Sequence, residues 1–199
     1  MLYIFSACSS KDDSFHNEDA LFLSHDGLQR EYLLHIPQNY DSSISHPIVF
    51  NFHGFGGTAT DHMYSADMRS ISDTAGFILV YPQALEDPND GNSTNWLHKE
   101  PTDHKDIFFI EALIDSISTN YNIDENRVYA CGYSLGGMFS YELACQLNHK
   151  ITAITSVAGA AFLGAFSSCE LSHPTAVLSI NGTDDGIHPY SDTNGWYFT

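Results

Sequence analysis

Positive charge is scarce in this chain of 199 residues: seven Lys and Arg stand against 25 Asp and Glu, a formal net charge of −18 with histidine neutral. Such an excess of carboxylates repels phosphate backbones and anionic lipid, and so argues against nucleic acid as a partner. Also missing is any apolar run of 18 residues, so no transmembrane helix is expected and the chain reads as soluble or tethered. No His-x-x-x-His or Cys-x-x-Cys pair occurs, and in Glu86-Asp-Pro-Asn-Asp-Gly91 a proline, Pro88, stands where a calcium loop needs a ligand oxygen. Neither a metal nor another cofactor is called for. Cysteine is limited to four. Cys131 lies in an apolar run and reads as a buried thiol, while Cys145 and Cys169 remain as a pair able to bridge outside the cytoplasm.

The first residues offer a tether. Leu2-Tyr-Ile-Phe-Ser-Ala7 is a short apolar stretch ending in small residues before Cys8, and polar Ser-Ser-Lys-Asp-Asp-Ser14 follows. This resembles a bacterial lipoprotein signal with Cys8 as the lipidated residue, although the stretch is short and no basic residue precedes it. A frayed apolar terminus is the alternative. Residues 1–19 are accordingly set apart as a signal-like segment and linker, and 20–199 as one domain, since no repeat or second block of composition divides it.

Along that domain, two β-like segments at 20–24 and 29–36 flank His25-Asp26-Gly27, a hairpin signal. A buried strand is expected at 47–52, and a helix over 60–75 with Tyr64, Met68, Ile71 and Ala75 on one face, stopped by Gly76. A strand at 77–81 and a polar loop at 86–95 come next. Ile107, Ile110, Ile114, Ile117 and Tyr121 then mark one stripe of a helix. Strands around Val128, at 151–157 and at 176–180 complete the alternation, with a helix after Ser134. An initial hairpin followed by alternating strands and helices implies an α/β fold: a mostly parallel sheet with helices on both faces, its ligands at the carboxyl ends of the strands.

The chemistry concentrates at Gly132-Tyr-Ser134-Leu-Gly136-Gly137, between the apolar run Val128–Cys131 and a helix-forming stretch. A serine in a strained turn between strand and helix holds its hydroxyl clear of the backbone, and flanking glycines remove side chains that would collide there. Ser134 is therefore the candidate nucleophile. Acyl transfer also needs donors for the developing oxyanion, a base, and a group to orient the base. His53-Gly54-Phe55-Gly56-Gly57, directly after the strand at 47–52, supplies a glycine-rich loop, making Phe55 N–H and Leu135 N–H the candidate donors. At the end of the last strand, Asn181-Gly-Thr-Asp184-Asp185 offers two acids, of which Asp185 is preferred and Asp184 kept as the alternative. Trp96 and Tyr133 are weak candidates for a substrate pocket, since aromatics near a motif serve as core as often.

Taken with Val80-Tyr-Pro-Gln83, Asn95-Trp96, Tyr121-Asn-Ile-Asp124, Leu143-Ala-Cys145, Val157-Ala-Gly159 and Asn194-Gly-Trp196, these motifs make the chain resemble the polyhydroxybutyrate depolymerases and the feruloyl and acetylxylan esterases, within the α/β-hydrolases. The resemblance implies a secreted or surface serine esterase acting through an acyl-enzyme on small or polymeric esters, of feruloyl, acetyl or hydroxyalkanoate type. It further implies that Cys145 and Cys169 are joined, and that a catalytic histidine follows the acid by several tens of residues, beyond a final strand and helix. The frame ends at Thr199, so the base and those elements are expected to be absent and the chain inactive as it stands. His53 belongs to the oxyanion loop, His16, His25 and His46 to polar termini and turns, His149 to a helix end; His188, near Asp185, is a remote substitute base. A serine peptidase of the same fold, or an inert binding domain, are the competing readings.

Overall fold

Asp26 and Gly27 adopt φ of 50° and 77°, the pair of left-handed residues that lets a two-residue turn follow the twist of its strands. They join β1 (Leu21–His25) to β2 (Leu28–His35) as an antiparallel hairpin. The computed structural model describes residues 19–96, 104–162, 169, 171–188, 190 and 197–198. Cys8 and the rest of the signal-like segment lie outside the described residues, as does Trp196.

Beyond the hairpin come β3 (His46–Phe52), α1 (Ala59–Ser65), α2 (Arg69–Ala75), β4 (Ile78–Pro82), β5 (Leu85–Asp87), β6 (Ser93–Asn95) and α3 (Lys105–Asn120). They are followed by β7 (Ile123–Tyr133), α4 (Leu135–Gln146), β8 (Ala153–Val157), β9 (Ala161–Phe162), β10 (Ala176–Ile180) and β11 (Tyr197–Phe198). Seven of the strands form one sheet in the order β1-β2-β4-β3-β7-β8-β10. β2 pairs antiparallel with β4, and from β4 to β10 every pairing is parallel. Parallel neighbours need crossover connections; α1 and α2 lie between β3 and β4, α3 precedes β7, and α4 joins β7 to β8. The fold is thus the mostly parallel α/β sheet with an antiparallel entry that the alternation of elements predicts.

The central strands are buried on both faces, as parallel strands under two helical layers must be. Ile48, Phe50 and Phe52 of β3 pack with Ile107, Ile110, Ile114 and Ile117 of α3 and with Met138 and Phe139 of α4. On the other face Leu33, Leu79 and Tyr81 pack with Ala59 and Met63 of α1. Arg30 on β2 and Asp106 on α3 form a buried ion pair at 2.5 Å, with the guanidinium 3.9 Å over the Phe109 ring. The pair clamps the hairpin to α3, and loss of either partner would strand a charge in the interior. At the opposite edge β10 is exposed along its whole length, with Val177, Leu178 and Ile180 at 51%, 56% and 50%.

Three expectations need correction. The helix anticipated over 60–75 is two short helices, because the Tyr81 hydroxyl enters the break: it donates to Ala66 O at 2.9 Å and accepts from Met68 N at 3.1 Å. Bonds that would have continued the helix go to a side chain instead. The buried residues are consequently Ala59, His62, Met63 and Ser72, whereas Tyr64 and Ile71 are exposed. The polar stretch 86–95 is largely a hairpin, β5 against β6. His46 is no turn residue; it opens β3, buried, with its Nδ1 2.9 Å from Gly76 O.

Glu142 on α4 is buried at 4% exposure, and burial pushes its carboxyl up to about 7 from an ordinary 4.5. A raised carboxyl binds its proton more tightly folded than unfolded, so the stability it supports is complete below about pH 4.5 and is lost as pH rises through about 7. Because the buried histidines, whose pKa values are lowered, gain stability over the same range, the Glu142 contribution is read as a difference: in urea unfolding the stability of the wild type relative to Glu142→Gln should fall by about 1–3 kcal/mol between about pH 5 and pH 8.

Candidate active site

Ser134 stands between the last residue of β7 and the first of α4, at φ 54° and ψ −118°. A non-glycine residue holds such a backbone only where its surroundings over-determine it. Here they do. Ser134 N donates to Val157 O at 2.8 Å, and Ser134 O accepts from Met138 N at 3.0 Å. A Cβ on Gly136 would run into the Phe52 carbonyl, and one on Gly132 into the backbone of Gly136. The strand-turn-helix corner is pressed onto β3 so closely that only hydrogen fits at these two positions. Ser134 is thereby forced out toward the carboxyl ends of the strands, at the N-terminus of α4, where the first backbone N–H groups of a helix lack intrahelical acceptors. Leu135 N–H is one of these.

Facing it is the loop after β3. A Cβ on Gly54 would lie 3.4 Å from Ser134 Cβ, so the loop runs directly beside the serine. Gly56 N donates to Thr94 O at 2.9 Å and Gly57 N to Gly54 O at 3.1 Å. Phe55 N–H meets no acceptor among the described residues. The Phe55 ring is 49% exposed.

His53 anchors this loop and does not act as a base. Its Nε2 accepts from Ala84 N at 3.1 Å, so that nitrogen carries no proton, and Nδ1–H donates to Gly54 O at 2.7 Å. Burial lowers its pKa, with the Gly54 bond opposing the shift. Both nitrogens are committed to the backbone. Gln83, whose Oε1 accepts from Ala59 N at 2.7 Å, packs beside it, with Gln83 Nε2 3.3 Å from His53 Nε2.

Trp96 is fully buried, and the expectation that it lines a pocket is corrected. Its Nε1–H donates to His53 O at 2.9 Å, while its ring stacks on Phe139 at 4.8 Å and meets Phe52 edge-on. It holds the loop from beneath. Tyr133, by contrast, is 54% exposed and lines two cavities beside Ser134.

Asp185 follows β10, whose pairing with β8 puts Ile180 beside Val157 and hence its loop at the same end of the sheet as Ser134. Its Oδ1 accepts from Ile187 N at 2.8 Å and His188 N at 2.9 Å. Those two backbone donors hold the carboxyl below its ordinary range, so it is ionised at neutral pH. The exposed Asp184 has no comparable pair of donors among the described residues. Among the described residues no histidine hydrogen-bonds the Ser134 hydroxyl, and no group of three or more His, Cys, Asp or Glu side chains converges as a metal site. Cys131, expected to be buried, is half-buried on the same face of the sheet as Asn51; desolvation still pushes its thiol up to about 12, so it is no thiolate nucleophile. Cys145 and Cys169 are bonded, their Cα atoms 5.2 Å apart.

Several residues that shape this site carried no signal of that role. Ala158 at φ 51° and Gly159 form the wall behind Ser134, and a Cβ on Gly159 would lie 2.6 Å from Ser134 O. Thr94 fastens the loop through its carbonyl and through Oγ1, which donates to Gly57 O at 2.6 Å. His62, which lines both cavities beside Ser134, was equally silent.

This sheet order, with a serine at the sharp turn after its central parallel strand, defines the α/β-hydrolase fold. The chain belongs to the phospholipase/carboxylesterase family of that fold, whose model matches residues 41–194. It is 28% identical over 170 residues to a bifunctional acetylxylan esterase/xylanase of Neocallimastix patriciarum, covering 85% of this chain and 23% of that protein. With feruloyl esterase C of Emericella nidulans it shares 31% identity over 169 residues, 80% of this chain and 56% of the relative. Among solved structures, a thermostable esterase superposes with a TM-score of 0.63 at 19% identity, covering 85% of this chain and 48% of that one. An acetyl xylan esterase from Aspergillus awamori gives 0.59 at 20% identity, covering 76% and 55%. The chain spans less than two thirds of the length of each of these proteins.

Trp96→Phe keeps an aromatic ring in the core but removes the donor from His53 O. It should cost about 1–3 kcal/mol, the penalty of a buried carbonyl left without a partner. A lower urea midpoint at unchanged m-value would report it.

Proposed function

We propose that this protein is a serine esterase that hydrolyses carboxylic esters through an acyl-enzyme on Ser134. The observation that carries the reading is the strained corner holding Ser134 directly beside the glycine loop. In this reaction Ser134 Oγ attacks the ester carbonyl, and the oxygen that gains charge is met by Phe55 N–H and Leu135 N–H. The intermediate collapses, the alcohol leaves with a proton, and water then cleaves the acyl-serine by the same steps reversed in role. Donors fixed in advance at the developing oxyanion cost no reorganisation as the charge forms. A histidine must carry the proton between these groups, oriented by the Asp185 carboxylate. Among the described residues no histidine is hydrogen-bonded to the Ser134 hydroxyl.

The relatives' names support esters of plant polysaccharides, feruloyl or acetyl, as the substrate class; hydroxyalkanoate esters remain within the same chemistry. Such substrates lie outside the cell, consistent with a secreted or surface protein held through Cys8. The bridge between Cys145 and Cys169 agrees with an oxidising compartment. A second reading, an inert binding domain, is favoured by one observation, the lack of a histidine at the Ser134 hydroxyl among the described residues.

The test uses p-nitrophenyl acetate and an aryl ester with the protein read to the natural stop codon of its gene. Ser134→Ala should lower kcat by several orders of magnitude with the fold unchanged by circular dichroism. Turnover within tenfold of wild type would exclude Ser134 as nucleophile, and no turnover in the wild type would favour the inert domain.

A further inference from the structure

At the hairpin edge of the sheet lies a groove of about 460 Å³, a volume within the range of small-molecule sites. Register sets its floor. Phe22 of β1 pairs with Glu31 of β2, and residues two apart on a strand share a face, so Gln29, Glu31 and Leu33 stand together with Phe22. Leu33 packs with Ala59 and Met63, so this is the face that α1 covers. The Arg30 side chain is on the opposite face, paired with Asp106 of α3. Thr58 and Thr60, at the start of α1, form one wall, and the β5–β6 hairpin forms the other. In that hairpin Glu86 pairs with Thr94, whose Oγ1 donates to Gly57 O, so the Glu86 side chain is on the face turned toward the oxyanion loop.

Part of the lining is already committed. Thr58 is spent on Asp61 as the cap of α1, and Gln83 on Ala59 N and His53. Arg30, the one cation along the groove, is held by Asp106 and Gln83 O. Gln29, Glu31, Thr60 and Glu86 make no side-chain hydrogen bond among the described residues, and the Phe22 ring is 58% exposed. This leaves two carboxylates that only accept, an amide and a hydroxyl that both donate and accept, and an uncovered ring. With two carboxylates and no available cation, the groove repels an anion. Its floor is a sheet face whose backbone groups are bonded in ladders from β1 to β4, so an extended peptide finds no backbone partners there. A sugar meets all of these groups: its neighbouring hydroxyls each donate and accept, two of them can span one carboxylate, and the C–H face of a pyranose rests on an aromatic ring.

We propose that this groove binds a neutral carbohydrate chain, one sugar ring lying on Phe22 and the hydroxyls of the chain bonded to Glu31, Glu86, Gln29 and Thr60. Thr94 borders the groove and also fixes the oxyanion loop, so a seated chain lies against the support of that loop. Binding needs neither Ser134 nor an ester bond and is separate from the reaction proposed above. The same carboxylates that accept from hydroxyls exclude uronate chains, whose own charges would face Glu31 and Glu86 without a cation between them.

The experiment titrates xylohexaose into the Ser134→Ala protein, read to the natural stop codon of its gene, by calorimetry and by ¹H–¹⁵N spectra. Saturable binding is expected with a Kd of about 0.1–1 mM, the affinity of a few open contacts. The largest amide shifts should fall at Phe22, Glu31 and Glu86. Phe22→Ala should weaken binding about fivefold. Glu31→Gln should weaken it by about the same factor, because a charge-assisted bond becomes a neutral one. Phe22 is exposed and Glu31→Gln is isosteric, so circular dichroism should show both variants folded. Phe108→Ala, which removes an exposed ring from α3 on the other side of the sheet, should leave the affinity unchanged. Hexagalacturonate should bind at least about tenfold more weakly than xylohexaose. No saturable binding up to about 10 mM overturns the proposal, as does an affinity unchanged in both groove variants or equal for hexagalacturonate. Tighter binding of hexalysine than of xylohexaose overturns it in favour of a basic peptide. None of these outcomes depends on turnover, so a failure of the esterase reading would be seen separately, in the activity of the wild type.

Discussion

The closeness of α4 to the central strands is the constraint on which the rest of this site depends. Gly136 lies against the Phe52 carbonyl and Gly132 against Gly136, and a methyl group at either position would push helix and sheet apart. Because the helix cannot retreat, the residue between them takes a backbone that L-residues avoid, and its side chain is delivered to the surface. The same contact brings β3 under the corner, so the loop leaving β3 must pass beside Ser134. The juxtaposition of loop and serine is thus a consequence of one close packing contact, with the local strain offset by the bonds from Ser134 N to Val157 O and from Met138 N to Ser134 O.

A second tier of contacts keeps the loop in place. His53, Gln83, Trp96 and Thr94 each bond to its backbone or to one another, and none has a group left over for chemistry. Arg30 extends the support to the sheet edge, its guanidinium 3.4 Å from Gln83 O as well as paired with Asp106. Polar groups are numerous here because backbone turns next to a ligand site expose donors and acceptors that must be satisfied without closing the site. The buried histidines follow the same rule. His53 and His62 are both neutral, but their tautomers are opposite: His53 Nε2 accepts from Ala84 N, whereas His62 Nε2 donates to Asn51 Oδ1, the amide being oriented by Ala66 O.

What was legible in the sequence was whatever depends on neighbours in the chain. Asp26-Gly27 specifies its turn by its own backbone preferences, and the stripe of isoleucines specifies α3. Gly132-Tyr-Ser-Leu-Gly136 announces its tight turn within five residues, although the bonds that offset its strain come from Val157 and Met138. The break between α1 and α2 was illegible because its cause, the Tyr81 hydroxyl, is 15 residues from Ala66 in sequence and reaches it only through the fold. Trp96 was misplaced for a related reason: nothing local says whether an indole faces a ligand or a backbone carbonyl 43 residues away. The β5–β6 hairpin lacks the alternation that marks a strand, and Asn95 Nδ2 to Asp87 Oδ2, at 3.3 Å, is the kind of contact that replaces it. Asp185 was preferred over Asp184 from resemblance alone; nothing in its immediate neighbourhood along the chain distinguishes an acid that orients a base from one that closes a turn, as Asp185 does through Ile187 N and His188 N.

We propose that this corner makes Ser134 Oγ the atom that takes the acyl group. The most direct test is to quench the protein, read to its natural stop codon, during turnover of an aryl ester, or after a fluorophosphonate, and to locate the adduct by peptide mass spectrometry. A single stoichiometric adduct on Ser134 is the expected result. An adduct on another residue, or an active enzyme that shows none at Ser134, would contradict it.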